Sequence, residues 1–170
     1  MKKFLYLAAI ACMALFISCG KETAESQNEN EKEPVVLSGN LYGIWALTSK
    51  SETSPDAGAD AAVSNEDYTS CHFYLAFGEF PFPHAIAKKG SLSSYDLDDV
   101  DVDAVMITYN PDTHQITFEK MLWLSDEWFT HNMILSGKFD VTELSDTRLV
   151  LRQKEPVSGN VIAYSYTRQN

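Results

Sequence analysis

From residue 41 onward, apolar and polar residues alternate in short runs separated by turn residues, and a period of two belongs to half-buried β-strands. The runs are 41–49 (LYGIWALTS), 69–77 (TSCHFYLAF), 102–109 (VDAVMITY), 114–122 (HQITFEKML), 128–142 (WFTHNMILSGKFDVT), 147–154 (TRLVLRQK) and 160–168 (NVIAYSYTR). Asn110-Pro111-Asp112-Thr113 is a strong hairpin turn. Ser125-Asp126-Glu127 and Leu144-Ser145-Asp146 join their neighbours as short loops. The run 128–142 is long, and Gly137 within it predicts a bend or bulge; split there, the strands number about eight. No long helical period competes. One short helical turn is predicted in 83–90 (PHAIAKKG), where a proline, two lysines and a closing glycine punctuate as a helix does. The connections 51–67 and 78–100 are long, and loops of that length are usually functional or disordered. The fold class predicted is all-β: a sandwich, or a small antiparallel up-and-down barrel whose closure removes exposed edges.

Upstream the pattern changes. Met1-Lys2-Lys3 precedes an uncharged run from Phe4 to Ile17, the layout of a secretory signal peptide. At 14 residues it is short of the roughly 20 that a membrane-spanning helix needs. The border Phe16-Ile17-Ser18-Cys19 resembles the lipobox of bacterial lipoproteins, with Phe16 where leucine is commoner. That resemblance implies cleavage before Cys19, a diacylglycerol thioether on its sulfur and an acylated amine. Cys19 is then the lipid anchor, in the envelope of a Gram-negative-type bacterium, at its outer membrane. The other reading is a plain signal peptide with an incidental cysteine. Residues 19–38 are polar, Glu-rich and without period, which reads as a flexible tether, and 39–170 as one domain.

Three cysteines are present. Cys12 leaves with the signal peptide and Cys19 carries lipid, so Cys71 has no partner within the chain and no disulfide supports the fold. The formal net charge is −11, and loss of Lys2 and Lys3 takes it two units further. This acidity argues against nucleic acid and against docking on anionic headgroups.

The first strand reads Gly43-Ile44-Trp45 and the last ends Tyr164-Ser165-Tyr166-Thr167-Arg168. Together with the hairpin sequence KFDVTELSDTRLVLRQK, this resembles the lipocalin-like families. They carry a Gly-x-Trp in the first strand and a late basic residue that packs over the tryptophan. The resemblance implies an eight-stranded barrel closed through Gly43, Trp45 and Arg168. On physical grounds, closure brings the first and last strands together, and Arg168 over Trp45 would give a cation–π contact of roughly 0.5–2 kcal/mol. The alternative is a core tryptophan and a frayed arginine. The long loop 78–100 departs from the simplest members of these families.

Chemistry-bearing constellations are sparse. On a strand, Cys71 and His72 point to opposite faces, and Cys71 aligns with Phe73, Leu75 and Phe77 as core. The four histidines (His72, His84, His114 and His131) form no metal-ligating motif. Asp96 to Asp103 is acidic enough to interest calcium but lacks the loop glycine, and solvated edge charges suit it better. No catalytic motif, cofactor motif or metal site is predicted. Phe80-Pro81-Phe82-Pro83 stands out: two aromatics stiffened by prolines, with Ile86 behind them. Trp123, Trp128 and Phe129 flank another hairpin and could meet them, either as a ligand-binding barrel mouth or as a filled hydrophobic cover. The functional expectation is a non-enzymatic lipoprotein binding a small hydrophobic or amphipathic ligand in its barrel, through Phe80, Phe82, Ile86, Trp123, Trp128 and Phe129. The second expectation is an accessory lipoprotein with a side-chain-filled barrel that binds a protein or glycan through its loops.

Overall fold

A computed structural model describes residues 37–55, 62–90 and 104–170. All belong to one compact unit, Pro34–Asn170. The segment read as a signal peptide, Cys19, nearly all of the segment read as a tether and Asp96–Asp103 lie outside the described residues. The folded part begins slightly earlier than the sequence predicts: Leu37 packs on the core and the N–H of Ser38 donates to the Leu144 carbonyl at 3.1 Å.

Among the described residues, nine strands form one antiparallel sheet: β1 Gly43–Thr53, β2 Ala62–Asp67, β3 Phe73–Gly78, β4 His84–Lys89, β5 Val105–Asn110, β6 Gln115–Ser125, β7 Asn132–Leu144, β8 Arg148–Lys154 and β9 Val161–Arg168. The sheet closes because β1 also pairs with β9, from Trp45↔Arg168 to Thr53↔Val161. The result is an eight-stranded antiparallel barrel plus one extra strand. The extra strand is half of a broken one. As β1 runs back from Thr53 to Gly43, it meets β2 and then β3, and residues 68–72 step out between them.

Two strands differ from the sequence expectation. β2 lies in what reads as a loop, because its sequence, AVSNED, is mostly polar. β4 replaces the predicted helical turn. All six of its residues pair with β3, from Gly78↔His84 to Phe73↔Lys89, so sheet pairing overrides the helix-like punctuation. The run 128–142 is not split: β7 continues through Gly137, whose φ is +74°. The irregularity falls on its partner. Phe118 pairs with Gly137 and Leu122 with Leu135, so Glu119, Lys120 and Met121 bulge opposite Ser136 alone. Cys71 is not on a strand but in the turn before β3, half-buried against the core.

Alternate residues of each strand fill the interior. Trp45, Phe73, Leu75, Phe77, Ile116, Phe118, Met133, Leu135, Phe139, Leu149, Leu151 and Tyr166 are buried there. A chain of rings crosses it. Phe77 and Phe118 have centroids 6.3 Å apart, Phe118 and Phe139 5.7 Å, and Phe139 and Tyr164 6.4 Å. Each such side chain contributes roughly 1.5–3 kcal/mol by leaving water.

Candidate functional site

At the seam, the Arg168 guanidinium lies over the Trp45 ring, 5.0 Å from its centroid. It donates to the carbonyls of Asn40 (2.8 Å) and Tyr42, while the Trp45 indole N–H donates to the Leu41 carbonyl at 2.8 Å. Gly43 has φ +135°, and a Cβ there would sit 2.7 Å from Arg168 Nη2. Gly43, Trp45 and Arg168 therefore form one unit that holds the incoming segment 40–42 against the barrel end.

The residues proposed for a mouth are not brought together. β1 begins where β3 ends and β9 ends, so the β3–β4 turn carrying Phe80 and Phe82 shares that end with the seam. Following the strands onward, β4 runs away, β5 returns to it and β6 runs away again. The β6–β7 loop with Trp128 and Phe129 is thus at the opposite end. Phe80 is 87% exposed, and Phe82 turns its ring edge-on to His84. A cis peptide joins Phe80 to Pro81. Ile86 pairs with Ala76 and is buried, yet it points away from the interior, since Ala85 and Ala87 take the inward positions. It lines no mouth.

Trp123 and Phe129 do come together, on the outside, and Trp128 is exposed next to Phe129 in the same loop. Trp123 and Ile134 are cross-strand partners, and Met121 shares their outward face; all three are exposed. Phe129 stacks on Trp123 with centroids 6.1 Å apart and planes 17° apart. Exposure is 50% for Trp123, 84% for Trp128 and 67% for Phe129. Three rings of roughly 150–250 Å² each then show solvent on the order of 400 Å², before Met121 and Ile134 are counted. A patch of that size is often functional.

The loop that carries this surface is held by Asp126, which from sequence reads as a solvated turn residue. Its Oδ1 accepts the Thr130 N–H at 2.8 Å, and its Oδ2 accepts the His131 N–H at 3.1 Å and lies 3.0 Å from His131 Nδ1. Burial works to raise the carboxyl's pKa, but these bonds from the His131 ring and the two backbone N–H groups outweigh it and hold the group below its ordinary value. Phe129 adopts φ +54°, an uncommon conformation for a bulky residue, in order to reach Trp123.

Behind the loop, β7 leaves β8 and side chains take over the pairing of its edge. The Tyr68 hydroxyl donates to the Asn132 carbonyl (2.8 Å) and accepts its N–H (3.0 Å). Tyr164 does the same at Ile134, at 3.2 and 3.3 Å. Gln153 Nε2 donates to the carbonyls of Ser136 and Lys138, at 2.8 and 3.1 Å. Burial raises the pKa of both tyrosines above the ordinary phenol value. The β6–β7 hairpin is therefore fixed to the barrel although its outer half lacks a neighbouring strand on the β8 side. Sequence reasoning gave these four residues (Asp126, Tyr68, Tyr164 and Gln153) no role in holding the hairpin.

A groove of about 560 Å³ runs beside the patch, lined by Ala87, Ala104, Val105 and residues Lys120 to Leu124. It opens in the wall between β4 and β6, where Val105 and Leu122 of the core, with Ala87 and Leu124 packed against it, form its floor. Among the described residues, no three His, Cys, Asp or Glu side chains converge as a metal site, and no helix is long and apolar enough to cross a membrane. Comparison with known protein families, characterised proteins and solved structures finds no match. Fold and surface together define a closed antiparallel β-barrel, packed inside and displaying an ordered aromatic hairpin outside.

Proposed function

We propose that the chain is a lipid-anchored envelope lipoprotein, held through Cys19, and that it acts as a non-enzymatic binding module through the outer β6–β7 face. The observation that carries this is the stacked, exposed Trp123–Phe129 pair with Trp128 beside it, on a loop pinned by Asp126. The packed interior favours this over a small molecule held in the barrel. An interior ligand would have to displace the ring chain from Phe77 to Tyr164. The lipocalin-like resemblance then concerns architecture and the seam, with the container role given up.

Expression of the full chain in a Gram-negative host tests the anchor. Intact mass of the membrane-extracted protein should show Gly20–Asn170 preceded by an acylated Cys19, and Cys19→Ala should leave the membrane fraction. Native mass spectrometry of the same extract should find no stoichiometric small molecule within the folded protein. A stoichiometric lipid or metabolite there would return the container reading to first place.

A further inference from the structure

We propose that the β6–β7 aromatic face docks on a lipid bilayer, the surface to which the chain is itself tethered. This rests on the lipoprotein reading for its biological setting, and on the hairpin alone for its chemistry.

The face has the composition of a membrane-interface contact. Trp123, Trp128 and Phe129 are amphipathic or apolar rings of the kind enriched at headgroup depth. Met121 and Ile134 extend them with aliphatic surface, which a stacked sugar would not use. Trp128 and Phe129 sit in the turn at the end of a hairpin, so they protrude and do not line a concavity. The loop is also ordered before contact: Asp126 fixes Thr130 and His131, and Phe129 already lies on Trp123. Docking then orders little that is free, which is where apolar contacts usually lose affinity. Lys120, exposed in the bulge next to Met121, can lie along the apolar margin with its ammonium among phosphates.

The length of chain beyond the barrel fits the same occupant. Residues 19–36 separate the acylated position from Leu37. Eighteen extended residues reach at most roughly 60 Å, while the 13 residues of β7 span about 43 Å. Either end of the barrel can therefore meet the membrane that holds Cys19. A tether of this length presents the face to the bilayer at about millimolar effective concentration, so a weak surface affinity suffices. The chain's net charge of −11, two units more negative without Lys2 and Lys3, makes the attraction apolar and not electrostatic, so zwitterionic lipid is the preferred surface.

The test uses the chain from Gly20 onward, which holds every described strand and closes its own barrel. It is mixed with phosphatidylcholine vesicles and with vesicles containing phosphatidylglycerol. Trp45 is fully buried, so emission changes report Trp123 and Trp128. Expected results are co-sedimentation with phosphatidylcholine, a blue shift quenched by brominated acyl chains, and weaker binding on the anionic vesicles. Trp128→Ser with Phe129→Ser should lower the partition coefficient about tenfold or more while leaving the melting temperature close to the parent's. Absence of binding to phosphatidylcholine overturns the proposal, as does binding that ignores the double substitution. So does a face consumed by dimerisation, seen as a sedimentation dimer that the double substitution disperses. Each failure is separable from that of the anchor, because the protein used carries no lipid and acylation of Cys19 is read by mass in a different sample.

Discussion

Asp126 shows how much one side chain can fix when its hydrogen bonds converge. It accepts two backbone N–H groups and faces the His131 ring, and these bonds overcome its burial and leave it more acidic than an ordinary carboxyl. A carboxyl whose pKa is lower folded than unfolded adds stability above the unfolded value, 3.8, and loses it as pH falls through the folded one. Thermal melts of the parent and of Asp126→Asn should therefore differ at pH values above the usual carboxylate range. That difference should close as the pH drops below the usual carboxylate range; one that widens with acid would contradict the hydrogen-bond account. Gly43 is the second single residue with a defined task. Alanine there meets both a left-handed backbone and the Arg168 guanidinium, and should cost about 1–3 kcal/mol in urea unfolding. Part of that cost should vanish in an Arg168→Ala background, where only the backbone strain remains. Equal costs in the two backgrounds would mean that the guanidinium is not seated where Gly43 leaves room for it.

At the scale of elements, β2 and β4 separate what pairing enforces from what sequence announces. Among the described residues β2 pairs with β1 alone, whereas β1 is held on its other edge by β9 along eight residue pairs. Amide hydrogens of Asn65 to Asp67 should exchange by local opening, well ahead of Leu47, Ser51 and Tyr164 at the seam, whose exchange should need global unfolding. Matching protection in β2 and the seam would show that something further grips β2. The longer strands were legible because one face of each is apolar: Trp45 and Leu47 in β1, Ile116 and Phe118 in β6, Phe139 and Val141 in β7. β4 was not legible, since Pro83 before it and Lys88-Lys89-Gly90 at its end imitate a helix, while only Ala85 and Ala87 mark its inner face. That one omission has a geometric consequence. In an up-and-down barrel each strand reverses the end at which the next loop falls. With β4 counted as loop, the 78–100 and 125–131 connections fall at the same end, and Phe80 appears to face Trp128. With β4 in place they fall at opposite ends. The aromatic residues themselves were visible in the sequence; their neighbours depended on a strand count. Asp126 escaped notice for another reason, because two of its three partners are backbone N–H groups, which no side-chain pattern reveals.

For the whole molecule, the decisive property is that the barrel is packed, and this can be tested by unpacking it. Phe118 is buried between Phe77 and Phe139 near the middle of the ring chain. Its replacement by alanine should cost about 3–5 kcal/mol, the sum of lost transfer energy and an unfilled cavity. A cavity lined by Phe77, Phe139 and their neighbours is apolar, and such cavities stay dry and accept benzene-sized guests. A guest that binds only the folded state raises the melting temperature in proportion to its saturation. Benzene or indole should therefore stabilise Phe118→Ala measurably and leave the parent protein unmoved at the same concentration. The contrast matters more than either result alone. A hollow barrel would already bind the guest in the parent, and truncating one wall residue would add little. A packed barrel gains a binding site only when a side chain is removed. If the parent responds as strongly as the variant, the interior already has room for a ligand, and the aromatic hairpin outside is no longer the best account of what this barrel is for.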